Sequence, residues 1–171
     1  MPDLPPNPEP LVAVLRLRGQ FQLVAVRRIA RDEVILHLEG IVVLRPTRHT
    51  IQVGRDQHLE AIDPDRLEAA LDEHAWRFLN HSCAPNARVE GRMLVAMGPI
   101  EAGDQVTFDY TTTEYELACP FACGCGAVEC IGMVRGYRHL TEEQQRRRQA
   151  YVAPHLREWH MDRRICANGP R

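Results

Sequence analysis

Lysine is missing from this chain: all 21 basic residues among its 171 are arginine. A GC-rich, bacterial codon usage would produce that bias. Net charge is missing too, since 21 basic against 23 acidic residues leave −2. The chain as a whole therefore has no electrostatic drive towards nucleic acid. No apolar run reaches the ~18–20 residues of a membrane-spanning helix. The opening Met1-Pro-Asp-Leu-Pro-Pro-Asn-Pro-Glu-Pro lacks the basic and apolar regions of a signal peptide and reads as a flexible leader over residues 1–10. Without an export signal, the six cysteines point to metal rather than to three disulfides, and a cytoplasmic location is expected.

What remains is ordinary globular material, 44% hydrophobic and 26% charged, long enough for one domain with its own core. The first half is strand-like. Alternating or β-branched runs cover Leu11 to Leu17, Phe21 to Val26, Val34 to Leu44 and Thr50 to Val53. Turns fall at Arg18-Gly19, Arg31-Asp32, Arg45-Pro46 and Gly54-Arg55-Asp56. One short helix is expected, with Asp63 as N-cap, Pro64 first, and Leu67, Ala70 and Leu71 on one face. A hairpin from Arg88 to Met97, turning at Glu90-Gly91, and a strand from Gln105 to Phe108 follow. From Thr141 the character becomes helical. Thr141-Glu-Glu reads as a capped start, Arg146-Arg-Arg as a solvated face, and Pro154 as the end or kink. Leu156 and Trp159 then share one face, which offers a contact for self-association.

Three clusters carry chemistry. In Asn80-His-Ser-Cys-Ala-Pro-Asn86, Asn and His offer hydrogen bonds, Cys83 a thiolate and Pro85-Asn86 a fixed turn. Thr107-Phe108-Asp109-Tyr110 puts a phenol at a strand end. Cys123-Gly-Cys125-x4-Cys130 supplies three thiols of a tetrahedral zinc site, which needs a fourth ligand. A redox pair at Cys123 and Cys125, or unmetallated core cysteines, are the alternatives. His155 and His160 match no ligand spacing and read as surface groups.

In order and spacing the three clusters resemble the signature motifs of the SET-domain lysine methyltransferases and the post-SET zinc motif that follows them. The resemblance runs from about Gln20 to Arg135. It implies a mostly β fold of several small sheets with short helices, a knot-like crossing of Thr107–Thr111 beneath the Asn80 loop, and a C-terminal zinc segment. The implied organisation is a SET domain over 11–118, a post-SET segment over 119–135 and a helical tail over 136–171. The implied activity is methyl transfer from S-adenosylmethionine to a lysine ε-amine of a protein. Tyr110 matches the catalytic tyrosine. Asn80 and His81 match cofactor contacts made partly through backbone atoms, and Phe21, Tyr115 and Phe121 are aromatics able to close on the cofactor, with core packing the alternative for Tyr115 and Phe121. Phe108 and Leu38 fall at lysine-channel positions, where Phe leaves room for di- or trimethylation. Cys83 completes the zinc set, leaving Cys119 and Cys166 as free thiols. A lysine methyltransferase without lysines cannot modify itself.

The chain departs from the family where Gly-x-Gly is usual, carrying Gln20-Phe21-Gln22 with Gly19 displaced by one. Leu38 stands where an aromatic is common, beside His37 in place of an acid. The insert between Gln57 and Arg77 is short. These losses keep open a non-catalytic SET-derived binding module, and the short insert a methyltransferase of small-molecule amines. Acidic residues from Glu60 to Glu73 predict a substrate lysine in a basic context, with a solvated acidic helix as the alternative.

Overall fold

A computed structural model describes residues 10–17, 19–63, 65, 66, 71 and 73–159. Twelve short strands in five small sheets account for most of the regular structure among them. This is the mostly β, several-sheet architecture the sequence predicts.

Strands β1 (Val12–Leu17) and β2 (Gln20–Ala25) form an antiparallel hairpin. Leu23, Val24 and Ala25 are all buried. Consecutive burial requires both faces to be covered, and Val106 N–H donating to the Leu23 carbonyl also closes the strand's second edge. The run from Val34 to Leu44 does not stay one strand. It splits into β3 (Val34–His37) and β4 (Ile41–Val43), which join different sheets. Gly40 makes the break possible, because a Cβ there would collide with the Glu60 carbonyl oxygen. That close approach lets β4 pair with β6 (Gln57–Glu60), which lies between β4 and β5 (Ile51–Gly54). β6 escapes sequence reading because Leu59 is its one apolar residue.

β7 (Asn80–His81), β8 (Ala87–Glu90), β9 (Met93–Ala96) and β10 (Thr107–Phe108) follow. β8 and β9 make the expected hairpin and β3 joins its edge in the order β3-β9-β8. β7 and β10 pair in parallel, Asn80 beside Thr107 and His81 beside Phe108. The two signature segments thus lie side by side. A last small hairpin joins β11 (Phe121–Ala122) to β12 (Met133–Val134).

There are two apolar clusters. The larger gathers Leu23, Leu59 and Leu94 from the sheets, Ile29 and Ile100 from a bridge between loops, and Trp76 from a 3-10 turn. The smaller packs Tyr115, Tyr137, Leu140, Val152 and Leu156, with Trp159 against it. The tail opens with helix α1 (Glu142–Arg148), whose Thr141 and Gln144 make a reciprocal capping box. α1 ends before Pro154, which instead opens a second helical stretch over 154–159, a position where proline's missing N–H costs nothing. The Arg146–Arg148 run is only partly a solvated face, since Arg148 is buried. His155 is no free surface group either, because its Nε2 lies 2.8 Å from the Thr113 carbonyl oxygen. The apolar side of the tail packs on Tyr115 of the same chain. Most of the helix expected from Asp63, the leader, His160 and Cys166 lie outside the described residues. Among the described residues, no helix is long and apolar enough to cross a membrane.

Candidate functional site

A cavity of about 910 Å³ opens between the β1–β2 turn, the 3-10 turn Ala75–Phe78, and the segments around Tyr110 and Phe121. Tyr110 begins a second 3-10 turn, Tyr110–Thr112, where the Asp109 side chain accepts from Thr111 N–H at 3.0 Å. The Tyr110 hydroxyl donates to the Leu79 carbonyl at 2.6 Å. Burial pushes its phenol well above the usual range, with Glu114 adding to the effect and Arg48 opposing it. The ring packs 4.8 Å from that of Phe108.

Each asparagine of the first signature motif has a defined task. Asn80 Nδ2 donates to the Phe21 carbonyl at 3.0 Å, tying β2 to the cavity edge. Asn86 donates to the Gln105 carbonyl and accepts from Thr107 N–H, so it clasps the strand that carries Tyr110. Of the residues the sequence singles out, Phe21, Asn80, Phe108, Tyr110 and Phe121 all line the cavity. Sequence reasoning misses Arg48, His49, Trp76, Phe78, Glu114 and Cys119, which line it as well. They come from loops and short turns where no periodicity marks a wall.

The side chains of three other expected residues point away from the cavity. Leu38 is buried in the sheet core rather than in a channel, 1% exposed, because its N–H is fixed to the Arg92 carbonyl. Tyr115 stacks on Trp159 with ring centroids 4.0 Å apart, so it packs in the tail cluster instead of against a cofactor. The His81 side chain is only 2% exposed and sits behind the cavity. There His81 Nδ1 accepts from Tyr110 N–H at 3.2 Å. Nε2 therefore carries the proton and donates to Cys83 Sγ at 3.3 Å. Burial holds this imidazole below its ordinary pKa, Asp109 opposing and Arg148 reinforcing. It joins the tyrosine segment to the cysteine cluster as a neutral ring.

Behind Tyr110 lies a buried polar network. Asp109, 1% exposed, takes Arg148 Nε at 2.7 Å on Oδ2 and the Thr111 hydroxyl at 2.6 Å on Oδ1. Arg148 also donates to Thr111 Oγ1 and to the Gln144 carbonyl. The tail residue thus braces the second signature motif. Nothing in an Arg-Arg-Arg run distinguishes the third member until the fold is known.

The thiols of Cys83, Cys123, Cys125 and Cys130 lie within 4.8 Å of one another. The Cys83 and Cys123 sulfurs are 3.8 Å apart. Four ligands about 2.3 Å from a tetrahedral zinc would stand roughly 3.8 Å from each other, so the set fits that ion. Burial pushes the Cys83 thiol up. Around Cys125, burial is outweighed by hydrogen bonds from the Cys83 and Ala127 backbone, which hold its thiol down at about 6. Cys119 stands apart, exposed.

The cavity also fits a nucleoside-bearing cofactor. Phe21, Phe78 and Phe121 supply ring faces, with Asn80, Arg48 and His49 among them. Gly19 has φ +82 with open space at its Cβ position, so it serves the β1–β2 turn and not a close approach. Gln20 instead brings a side chain to the cavity wall.

Comparison with known proteins finds relatives in sequence and in fold. Residues 20–111 match the family described as the SET domain. An H3 lysine-36-specific histone-lysine N-methyltransferase of Yarrowia lipolytica is 32% identical over 68% of this chain and 17% of its own length. The methyltransferase flvH of Aspergillus flavus is 28% identical over 47% of each. The chain thus spans less than half of these relatives. Among solved structures, KRYPTONITE in complex with mCHH DNA, an H3(1-15) peptide and SAH aligns with a TM-score of 0.54. It does so at 18% identity over 71% of this chain and 29% of that one.

Proposed function

The chain belongs to the SET-domain family, and from that premise we propose that it methylates a lysine ε-amine of a protein, using S-adenosylmethionine. The carrying observation is Tyr110 at the cavity wall with its hydroxyl proton committed to the Leu79 carbonyl. That bond leaves the phenol oxygen's lone pairs free. They can accept an N–H of a neutral amine and so turn its nitrogen lone pair towards the cofactor side. The bound cofactor supplies an electrophilic methyl on a sulfonium. The chain's own residues align the amine, exclude water through the aromatic walls, and form no covalent bond with either partner. The product is an N-methylammonium, which must shed a proton before a second round. Phe108 offers no hydroxyl to hold a methylated amine back, which supports di- or trimethylation.

A zinc held by the four cysteines fits the reading as a structural ion. It would fix β11 and β12 beside the Asn80–Asn86 loop, with His81 donating to the Cys83 thiolate. Thiolates hold metal only while reduced, so a cytoplasmic location belongs to the same proposal.

The test is Tyr110→Phe, assayed with labelled cofactor against a lysine peptide array. Turnover should fall ~10²-fold or more while cofactor protection against heating stays intact. Near-normal turnover would remove Tyr110 from the mechanism. Cofactor protection with no methylated amine of any kind would leave a binding module. Label on small amines alone would move the substrate class.

A further inference from the structure

Glu114 is an odd residue to find in this cavity. It is 6% exposed, yet it lines the cavity that Tyr110 lines. Its Oε1 has two partners, Gln52 N–H at 2.6 Å and the Thr113 hydroxyl at 3.3 Å. Gln52 answers with its own Oε1, which accepts from Tyr115 N–H at 2.8 Å. This reciprocal clasp fixes the carboxyl group against β5. The approach of the next segment depends on Gly136, where a Cβ would lie 2.6 Å from the Tyr115 carbonyl oxygen. With Gly136 there, Tyr137 N–H reaches the Glu114 carbonyl at 2.8 Å. The side chain is thus held in place at both ends. Oε2, however, has no recorded hydrogen-bond partner among the described residues, although a buried carboxylate normally engages both oxygens.

Charged and titratable groups come from the cavity wall and from the elements packed on this segment, among them His58, opposite Gln52 on β6, and His155, whose Nε2 lies 2.8 Å from the Thr113 carbonyl oxygen. Tyr110 comes from the 3-10 turn, Arg48 and His49 from the loop before β5, Arg77 from Ala75–Phe78, and Asp65 and Cys119 from the remaining wall. Tyr137 and Arg138 follow on the segment hydrogen-bonded to its backbone. His49 is held below its ordinary pKa by burial first, and then by Arg77 and Arg48. It is therefore a neutral neighbour at physiological pH. Burial raises the Glu114 carboxyl from 4.5 to about 7, against the hydrogen bonds of Gln52 and Thr113. A carboxylic acid in that range can switch charge near neutral pH.

We propose that Glu114 is the cation-receiving residue of the cavity, binding the substrate ammonium through its free oxygen and taking the proton that must leave before methyl transfer. The inference rests on the amine-methylation reading. In the step, one N–H bond of the ammonium breaks and an O–H bond forms on Glu114, leaving the nitrogen lone pair free. The methyl then moves to nitrogen, and the Glu114 proton passes to water before the next transfer. A neighbouring sulfonium favours this transfer, since like charge disfavours the ammonium. The same carboxylate would receive each successive methylammonium.

The test uses the full chain and Glu114→Gln, which keeps an oxygen to accept Gln52 N–H and so preserves the clasp. For wild type, kcat/KM on the best lysine peptide should rise with pH through an inflection at about 7. The variant should lose that inflection and fall ~10²-fold at pH 8, with the two curves converging on the acid side. Stability gives a second reading. A carboxyl raised in the folded state contributes stability below its unfolded pKa and loses it as pH rises through about 7. The melting temperature of the variant should therefore gain on wild type between pH 5 and roughly pH 8. A third measurement needs no turnover: n-butylammonium should protect wild type, and not the variant, against heating at pH 8. An unchanged pH profile in an active variant overturns the proposal and leaves the methyltransferase reading standing. An inactive wild type with Glu114-dependent butylammonium binding overturns that reading and keeps the cation site. If butylammonium binds neither protein, or both equally, the cation site is wrong.

Discussion

Two segments hold the same pair of signature motifs in contrasting ways. The cysteine segment, 119–134, has almost no core, and Val134 is its one buried residue. It reaches the Asn80–Asn86 loop through the thiol cluster that includes Cys83. The tail, 136–159, buries Tyr137, Leu140, Val152, Ala153 and Leu156, and it reaches Asp109 through Arg148. A segment too small for a hydrophobic core needs a metal or another staple. A segment with apolar side chains can dock by packing and add one buried ion pair. The two attachments meet at His81, whose ring nitrogens face Cys83 on one side and the Tyr110 backbone on the other. Asp109 lies 3.7 Å from that same Nδ1.

The largest break in this contrast should come from the metal side. The purified protein is expected to hold about one zinc per chain by the four-ligand rule. Cys83→Ser and Cys123→Ser should lose the metal and the activity together. Amide exchange should then rise sharply over 119–134 and stay low over the tail. Full zinc in Cys83→Ser would detach the cysteine segment from the signature loop.

On the tail side, Arg148→Met leaves the Asp109 carboxylate buried without its cation. Removal of one partner from such a pair costs about 3–5 kcal/mol. The melting temperature should fall accordingly with zinc content unchanged. Arg148→Met combined with Asp109→Asn should cost less than the single change. An unchanged melting temperature for Arg148→Met would mean that the tail is held by packing alone.

The smallest effect sharpens the contrast. Arg147 bridges the two segments directly, pairing with Glu143 on its own helix and with Glu129 in the cysteine segment. Both Arg147 and Glu129 are largely exposed, 47% and 63%. Arg147→Gln should therefore leave the melting temperature nearly unchanged. A double-mutant cycle with Glu129→Gln measures the coupling, and a coupling as large as that of the buried Arg148 pair would make the two segments one unit.

Much of the site was legible because its motifs are local. Asn80, Cys83, Asn86, Phe108 and Tyr110 lie in two short stretches, and Cys123, Cys125 and Cys130 carry their ligand spacing with them. The hairpin from Arg88 to Met97 was legible for a similar reason, since its strands alternate and its turn carries Gly91 at φ +62. β6 was not, because Leu59 is its one apolar residue and no alternation marks a strand in Gln57–Glu60. Nor was the division of Val34 to Leu44, which depends on Glu60 lying against Gly40. Leu38 held a channel position only by resemblance, and Tyr115 lay near the cysteine cluster; packing puts both in the core, which for Tyr115 is the alternative the sequence left open.

By itself the sequence determined the family, the mostly β class, the tyrosine at the strand end and the thiols able to take a metal. Those properties reside in residue identity and short spacing, which folding does not alter. Tertiary structure alone decided that Arg148 is buried against Asp109, that the His81 ring accepts from Tyr110 N–H behind the cavity, and that Glu114 is clasped against Gln52. Each depends on groups from distant parts of the chain losing water together. A charge or ring acquires its partner, and its proton affinity, only where that desolvation occurs.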